Sequence, residues 1–278
     1  MKQLARKFYQ HWMTQGMQAW SDADLANSAI VFSPHPDDET LGCGGTIIRK
    51  KKVGAAVKIV IMTDGCRSHR HLISEQELRE IRGREAIAAA HILGVESQDI
   101  LLLGFTDSEL ANFQDLALKK VMDMLLHYQP QQVLIPYSYE TPSDHAAVHK
   151  IVLTALKKIH SSATIYEYPI WFWHHWPWVG LGKGRREIAT ILKESVLSSM
   201  RACLFRYFQS SVDIQDVLAL KQRALAQYKS QIERLIPEVP WQTLGDVSNG
   251  EFLERFFQPQ EFFRRYSLAD KSSIIECE

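Results

Sequence analysis

Ala29-Ile30-Val31-Phe32-Ser33 runs straight into Pro34-His35-Pro36-Asp37-Asp38-Glu39 and then into the glycine-rich Leu41-Gly42-Cys43-Gly44-Gly45. A short apolar run, a stiff turn and a helical pattern in that order read as a buried strand feeding a helix. Working outward, the same kind of run recurs at Val57 to Met62, Ile100 to Phe105, Val133 to Tyr137 and Thr164 to Tyr168. Longer helical patterns separate these runs. The clearest is Glu75 to Leu93, which Ser74 and Glu77 open as a capping box and Gly94 stops. Strands alternating with helices predict an α/β fold, Rossmann-like, with a mostly parallel sheet and helices on both faces. Beyond residue 170 the alternation stops. A tryptophan-rich segment, Trp171 to Gly184, leads to helices expected at Arg185 to Tyr207 and Ile214 to Leu235, a C-terminal helical extension, and then an aromatic tail.

The 278 residues are 46% apolar, enough for one large α/β domain, and no low-complexity linker or internal repeat divides them. With 32 basic and 32 acidic side chains, there is no overall field to draw nucleic acid or an anionic membrane. Cys43, Cys66, Cys203 and Cys277 stand far apart, unlike a zinc knuckle or a disulfide framework, and read as reduced thiols. The N-terminal residues lack the continuous apolar run of a signal peptide, and no later stretch has the length of a transmembrane segment. The expected location is cytoplasmic.

The loop after the first strand packs one imidazole and three carboxylates into five residues. A hydrolytic zinc site needs about three ligands from His and carboxylate, an open position for water, and a nearby carboxylate to take the proton. His35 and Asp38 can converge on one ion while Asp37 points elsewhere. Simple helix capping accounts for the acids alone, but not for His35 or the two prolines. The glycines come too late, and after too acidic a loop, for a dinucleotide fingerprint, so a nucleotide-binding dehydrogenase is disfavoured. They read instead as room for close packing of the helix start. A third ligand is expected at another strand end, where Ser143-Asp144-His145 and His149 open a helix. His145 is the better choice, and His149 is expected to pack or hydrogen-bond behind it.

Together these residues resemble the LmbE-like or PIG-L family of zinc-dependent N-acetylglucosaminyl deacetylases. The family's opening P-H-P-D-D-E motif matches Pro34 to Glu39 in full, with Leu41 to Gly45 behind it. Further matches are Thr63-Asp64-Gly65, Arg82 with Glu85, Leu93-Gly94-Val95, Leu103-Gly104-Phe105 ahead of Asp107, and Asp144-His145. Tyr166-Glu167, Asp213-Ile214, Lys221, Ala224, Tyr228, Ser230 and Gln231 continue the series. The resemblance divides a single domain into an amphipathic N-terminal extension (1–27), a family-like core (about 28–232) and the aromatic tail (233–278). It implies one Zn2+ per chain on His35, Asp38 and His145, Asp37 as general base, and Arg82 and Asp107 as substrate contacts. The reaction implied is hydrolysis of an N-acetyl group, a linear amide, from an amino-sugar conjugate. One position departs: where the family carries a histidine assigned to the oxyanion, this chain has Pro142, which has no donor. Tyr139, His149, His174 and His175 are the substitutes within the sequence.

His69 and His71 belong to a polar loop expected to rim the pocket. Of Trp171, Trp173, Trp176 and Trp178, most are expected in the core or a subunit interface, with one tryptophan reaching the substrate, so a homo-oligomer is among the expectations. Phe8, Trp12 and Trp20 with Lys2, Arg6 and Lys7 predict a segment that docks on the domain through an apolar face. The competing functions are a zinc amidase on a non-sugar acylamine and a catalytically impaired relative kept for binding.

Overall fold

The computed structural model describes residues 2–14, 16–180, 189 and 208–269. Its strands are β1 (Gln18–Ala19), β2 (Ala29–Ser33), β3 (Val57–Thr63), β4 (Ile100–Phe105), β5 (Gln132–Pro136), β6 (Thr164–Tyr168), β7 (Ser210–Asp213) and β8 (Gln260–Tyr266). They form one sheet in the order β1-β7-β8-β6-β5-β2-β3-β4. The five strands expected from sequence are the contiguous parallel block from β6 to β4, each within one residue of its expected bounds. Successive side chains of a strand point to opposite faces. Val31 accordingly packs toward α3 (Asp38–Lys52) and α4 (Glu75–Ile92), while Ile30 and Phe32 pack toward α5 (Gln114–Tyr128) and α6 (Ser143–Lys158). Both faces are covered, which is why these strands read as continuous apolar runs.

From β2 the chain winds outward to β3 and β4 on one side, then returns to β5 and β6 on the other. The loops leaving β2 and β5 therefore part company, opening a crevice at the carboxyl ends of two adjacent strands. The candidate residues of the first strand loop and of α6 lie at that switch point.

The C-terminal third differs from the sequence reading. Its described part adds two strands rather than a purely helical extension: β8 runs antiparallel to both β6 and β7. The helix expected over Ile214 to Leu235 is broken into α7 (Leu218–Leu225) and a turn at Lys229–Ile232. The break falls at Tyr228 (φ −78°, ψ 61°), whose hydroxyl donates to Glu39 Oε1 at 2.5 Å. Two residues on, the Ser230 N–H and hydroxyl donate to the Glu85 carboxylate at 2.8 and 2.6 Å. These buried bonds are strong in low dielectric and outweigh the loss of helix continuity. In β8, Glu261 accepts from the Gly45 and Thr46 N–H groups at 2.8 Å each and from Lys221 Nζ at 2.7 Å. The helix expected at Arg185 to Tyr207 lies outside the described residues, residue 189 excepted.

Charged side chains of the first helix, α1 (Lys2–Thr14), contact the domain, while Trp20 of the same N-terminal segment is buried against Tyr166, ring centroids 4.2 Å apart. Lys2 pairs with Glu251, and Arg6 donates to the Pro177 and Trp178 carbonyls. Leu4 and Phe8 stay 74% and 66% exposed. No helix among the described residues is long and apolar enough to cross a membrane.

The glycine-rich start of α3 packs as expected. A Cβ at Gly42 would lie 2.4 Å from the Tyr168 ring, and one at Gly45 would lie 2.5 Å from Ile214. Tyr168 cannot swing away, because it is fully buried and its hydroxyl donates to the Phe32 carbonyl at 2.7 Å. Gly42→Ala is expected to cost about 1–3 kcal/mol in urea unfolding, the usual penalty for overpacking. An unchanged midpoint would show that the contact is loose.

Candidate active site

The loop from Pro34 to Asp37 is held from both sides. Thr63 N–H and Oγ1 donate to the Pro34 carbonyl at 2.9 and 2.8 Å. Glu39, buried, accepts from the Asp37 N–H at 3.2 Å and from Thr40 Oγ1 at 2.6 Å. Arg82, on α4, donates to the Gly65 carbonyl at 2.8 Å and to the Pro36 carbonyl at 2.9 Å. Asp37 itself sits at φ 121°, a strained backbone position for a residue with a side chain. Such strain costs about 1–3 kcal/mol and persists only where surrounding bonds impose it.

At the floor of the crevice His35 Nδ1 and His145 Nε2 each approach Asp38 Oδ2 to 3.1 Å. The edge of a tetrahedron with metal bonds of 2.0–2.1 Å is about 3.3 Å, so this spacing suits one small divalent cation. His145 is fully buried, yet apart from the Asp38 contact its ring nitrogens have no hydrogen bond among the described residues. A buried imidazole left in that state is costly unless a ligand takes its lone pair. The cluster can therefore hold a metal ion.

Asp37, next to Asp38 in sequence, turns away to Arg82 Nη2 at 3.3 Å. The two carboxyls titrate in opposite directions. Burial pushes Asp37 well above the ordinary carboxylate range, with Arg82 opposing only in part. Burial acts on Asp38 too, but the charges and hydrogen bonds of His145 and His35 prevail and hold it well below that range. Neighbouring carboxyls separated in this way suit an anionic ligand beside a proton acceptor.

Arg82 and Asp107, expected as substrate contacts, also serve the site's framework. Arg82 is 3% exposed and clamps the loop as described. Asp107 accepts from the Arg67 N–H at 3.1 Å and faces His35 Nε2 at 3.5 Å. Asp144, given no role from sequence, is buried and lies 3.3 Å from the same nitrogen. It also accepts from the Ser108 N–H at 2.7 Å. Carboxylates on the far nitrogen fix the tautomer that presents Nδ1 to Asp38. Glu140 was equally silent in the sequence: it is buried, and Oε2 lies 3.8 Å from His145 Nδ1.

His35, Asp37, Asp38, Arg82, Asp107 and Asp144 line a cavity of ≈ 280 Å³. Its polar lining includes Arg67, Ser68, Asp107, Ser108 and Ser143. Its apolar lining, Leu41, Ile170, Trp171, Leu244 and Phe252, belongs to one hydrophobic cluster. Pro142 is at the wall, but none of the four substitute donors is among the described lining residues. His149 is instead turned to Glu167 Oε1 at 2.9 Å, and His175 Nδ1 to the Phe172 carbonyl at 2.9 Å. His174 packs edge-on against Trp171, and Tyr139 packs beside Tyr137. The polar loop does rim the cavity, through Arg67 and Ser68; His69 stacks on Trp241 at 4.1 Å and anchors the loop.

Comparison with known proteins agrees with this geometry. The family described as PIG-L, GlcNAc-PI de-N-acetylase, matches residues 30–156. A diacetylchitobiose deacetylase of Thermococcus kodakarensis is 28% identical over 77% of this chain and 72% of its own. A 1D-myo-inositol 2-acetamido-2-deoxy-alpha-D-glucopyranoside deacetylase of a Mycobacterium species is 24% identical over 76% of each chain. The solved N,N'-diacetylchitobiose deacetylase of Pyrococcus horikoshii shares the fold, with a TM-score of 0.61 at 22% identity over 87% of this chain and 84% of that one. Residues 30–156 thus match the PIG-L (LmbE-like) family model, and the similar proteins named above are deacetylases.

Proposed function

We propose that the protein is a zinc-dependent N-deacetylase that hydrolyses the N-acetyl group of an N-acetylglucosamine-type sugar conjugate, releasing acetate and a free amine. The observation that carries this reading is the convergence of His35, Asp38 and His145, beside a separately held Asp37, at a cavity that His35, Asp37 and Asp38 line. His35, Asp38 and His145 would hold the zinc, which when bound supplies Lewis acidity toward water and an amide carbonyl. Asp37 takes the proton from the attacking water and returns it to the leaving nitrogen. Its raised proton affinity suits the first step, and Arg82 keeps the carboxylate aimed while offsetting part of its burial cost. Asp107 and Asp144 hold the His35 ring in register. Pro142 offers no donor to a developing oxyanion; donors that do line the cavity include Ser68, Ser108, Ser143, Arg67, Arg82 and Gln231.

The test is amine release from a panel of N-acetylated glycosides by the zinc-loaded protein. Equal amounts of acetate and amine are expected, with loss of turnover under chelator and recovery on adding zinc. Failure to release amine from any member of the panel would remove the proposal.

A further inference from the structure

We propose that Trp171, backed by Phe252, is the specificity-determining platform of this cavity. It takes the apolar face of a sugar ring at or beside the acetamide and so admits pyranose conjugates in preference to linear acylamines. This inference rests on the deacetylase reading above. Within the tryptophan-rich segment, Trp173 and Trp178 are core residues, 5% and 3% exposed, with the Arg255 guanidinium over both rings. Trp171 is only partly buried and lines the cavity. Its ring stacks on that of Phe252, with centroids 4.9 Å apart and planes 23° from parallel. A tryptophan that only filled the core would not reach the cavity wall.

The platform is also tied to the metal-site residues. Glu140 accepts from the Trp171 N–H at 2.6 Å, the Ile170 N–H at 2.8 Å and the Phe172 N–H at 3.3 Å. The same carboxylate faces His145 Nδ1, so one buried side chain sets both the ring's backbone and the ligand's far nitrogen. Leu41, in the first turn of α3 behind Asp38, continues the apolar wall toward the metal cluster. The lining also carries hydroxyls, two guanidinium groups and carboxylates. A pyranose has the same mixed character, apolar C–H faces and a rim of hydroxyls, and a linear acylamine does not. Trp171 and Phe252 both lie beyond residues 30–156, which the family model matches.

The experiment uses the full zinc-loaded chain, a β-1,4 disaccharide of N-acetylglucosamine and N-acetylbutylamine as substrates, and calorimetric binding of the matching glucosamine disaccharide. Trp171→Leu keeps apolar volume but loses the aromatic face. It is expected to raise KM for the disaccharide about 10-fold with kcat within about threefold, and to weaken product binding by a similar factor. Trp171→Phe is expected to recover most of both, and kcat/KM for the acylamine to stay unchanged in either variant. Unchanged KM and binding in Trp171→Leu, or equal loss on both substrates, would overturn the platform. Should the wild-type protein release no amine from either substrate, the deacetylase reading falls. Calorimetry then still decides the platform: binding lost in Trp171→Leu and kept in Trp171→Phe supports it, and equal or no binding overturns it.

Discussion

Asp37→Asn is expected to keep its metal and lose about 10²- to 10⁴-fold in turnover, the range attributed to a positioned general base. The amide fills the same space and still meets Arg82, but it cannot accept a proton. Asparagine also tolerates positive φ better than most residues, so the strained backbone at φ 121° remains accessible and the loop should persist. Because the proton transfer belongs to the transition state, kcat and kcat/KM should fall together while KM moves little. Metal content measured on the same sample separates the two neighbouring carboxylates: loss of zinc would mean that Asp37, not Asp38, is the ligand.

The second large effect concerns the metal itself. His145→Ala is expected to lower zinc affinity by more than about 100-fold, since even removing a group that merely orients a ligand costs 10–100-fold. The variant keeps only His35 and Asp38 of the cluster, and its metal content after dialysis should fall far below one zinc per chain. Full occupancy in His145→Ala would overturn the ligand assignment. The grouping of His35 with Asp107 and Asp144, also spaced to hold a cation, would then become the site.

The parallel block of the sheet was legible because strands buried on both faces need continuous apolar runs, and those runs ended where the strands end. The start of α4 was legible for a local reason: Ser74 Oγ accepts the Glu77 N–H at 3.2 Å, a contact within one turn. β8 was not legible, since Gln-Glu-Phe-Phe-Arg-Arg-Tyr has neither clean alternation nor a continuous apolar run. Its place depends on Glu261, which meets partners some two hundred residues earlier in the chain. The helix expected through Tyr228 failed for a related reason, because helical propensity says nothing of a distant Glu39 that needs a hydroxyl.

In the site, the acidic loop could be read directly because its chemistry is concentrated in consecutive residues. Asp144 and Glu140 could not, since a carboxylate near a helix start looks like a cap until the fold shows what it faces. The four substitute donors show the same limit. Their side-chain chemistry was adequate, but His149 and His175 are turned to other partners.

By itself the sequence determined the alternation of strands and helices, the glycine-rich close packing behind the loop and the set of metal-competent side chains, because each depends on neighbours within a few residues. The tertiary structure decided which carboxylate faces which imidazole, which of the clustered tryptophans reaches the cavity, and how the C-terminal strands close the sheet. Those outcomes depend on contacts between residues far apart in the chain, and their energies are set by burial and direction, which a local pattern of residues does not carry.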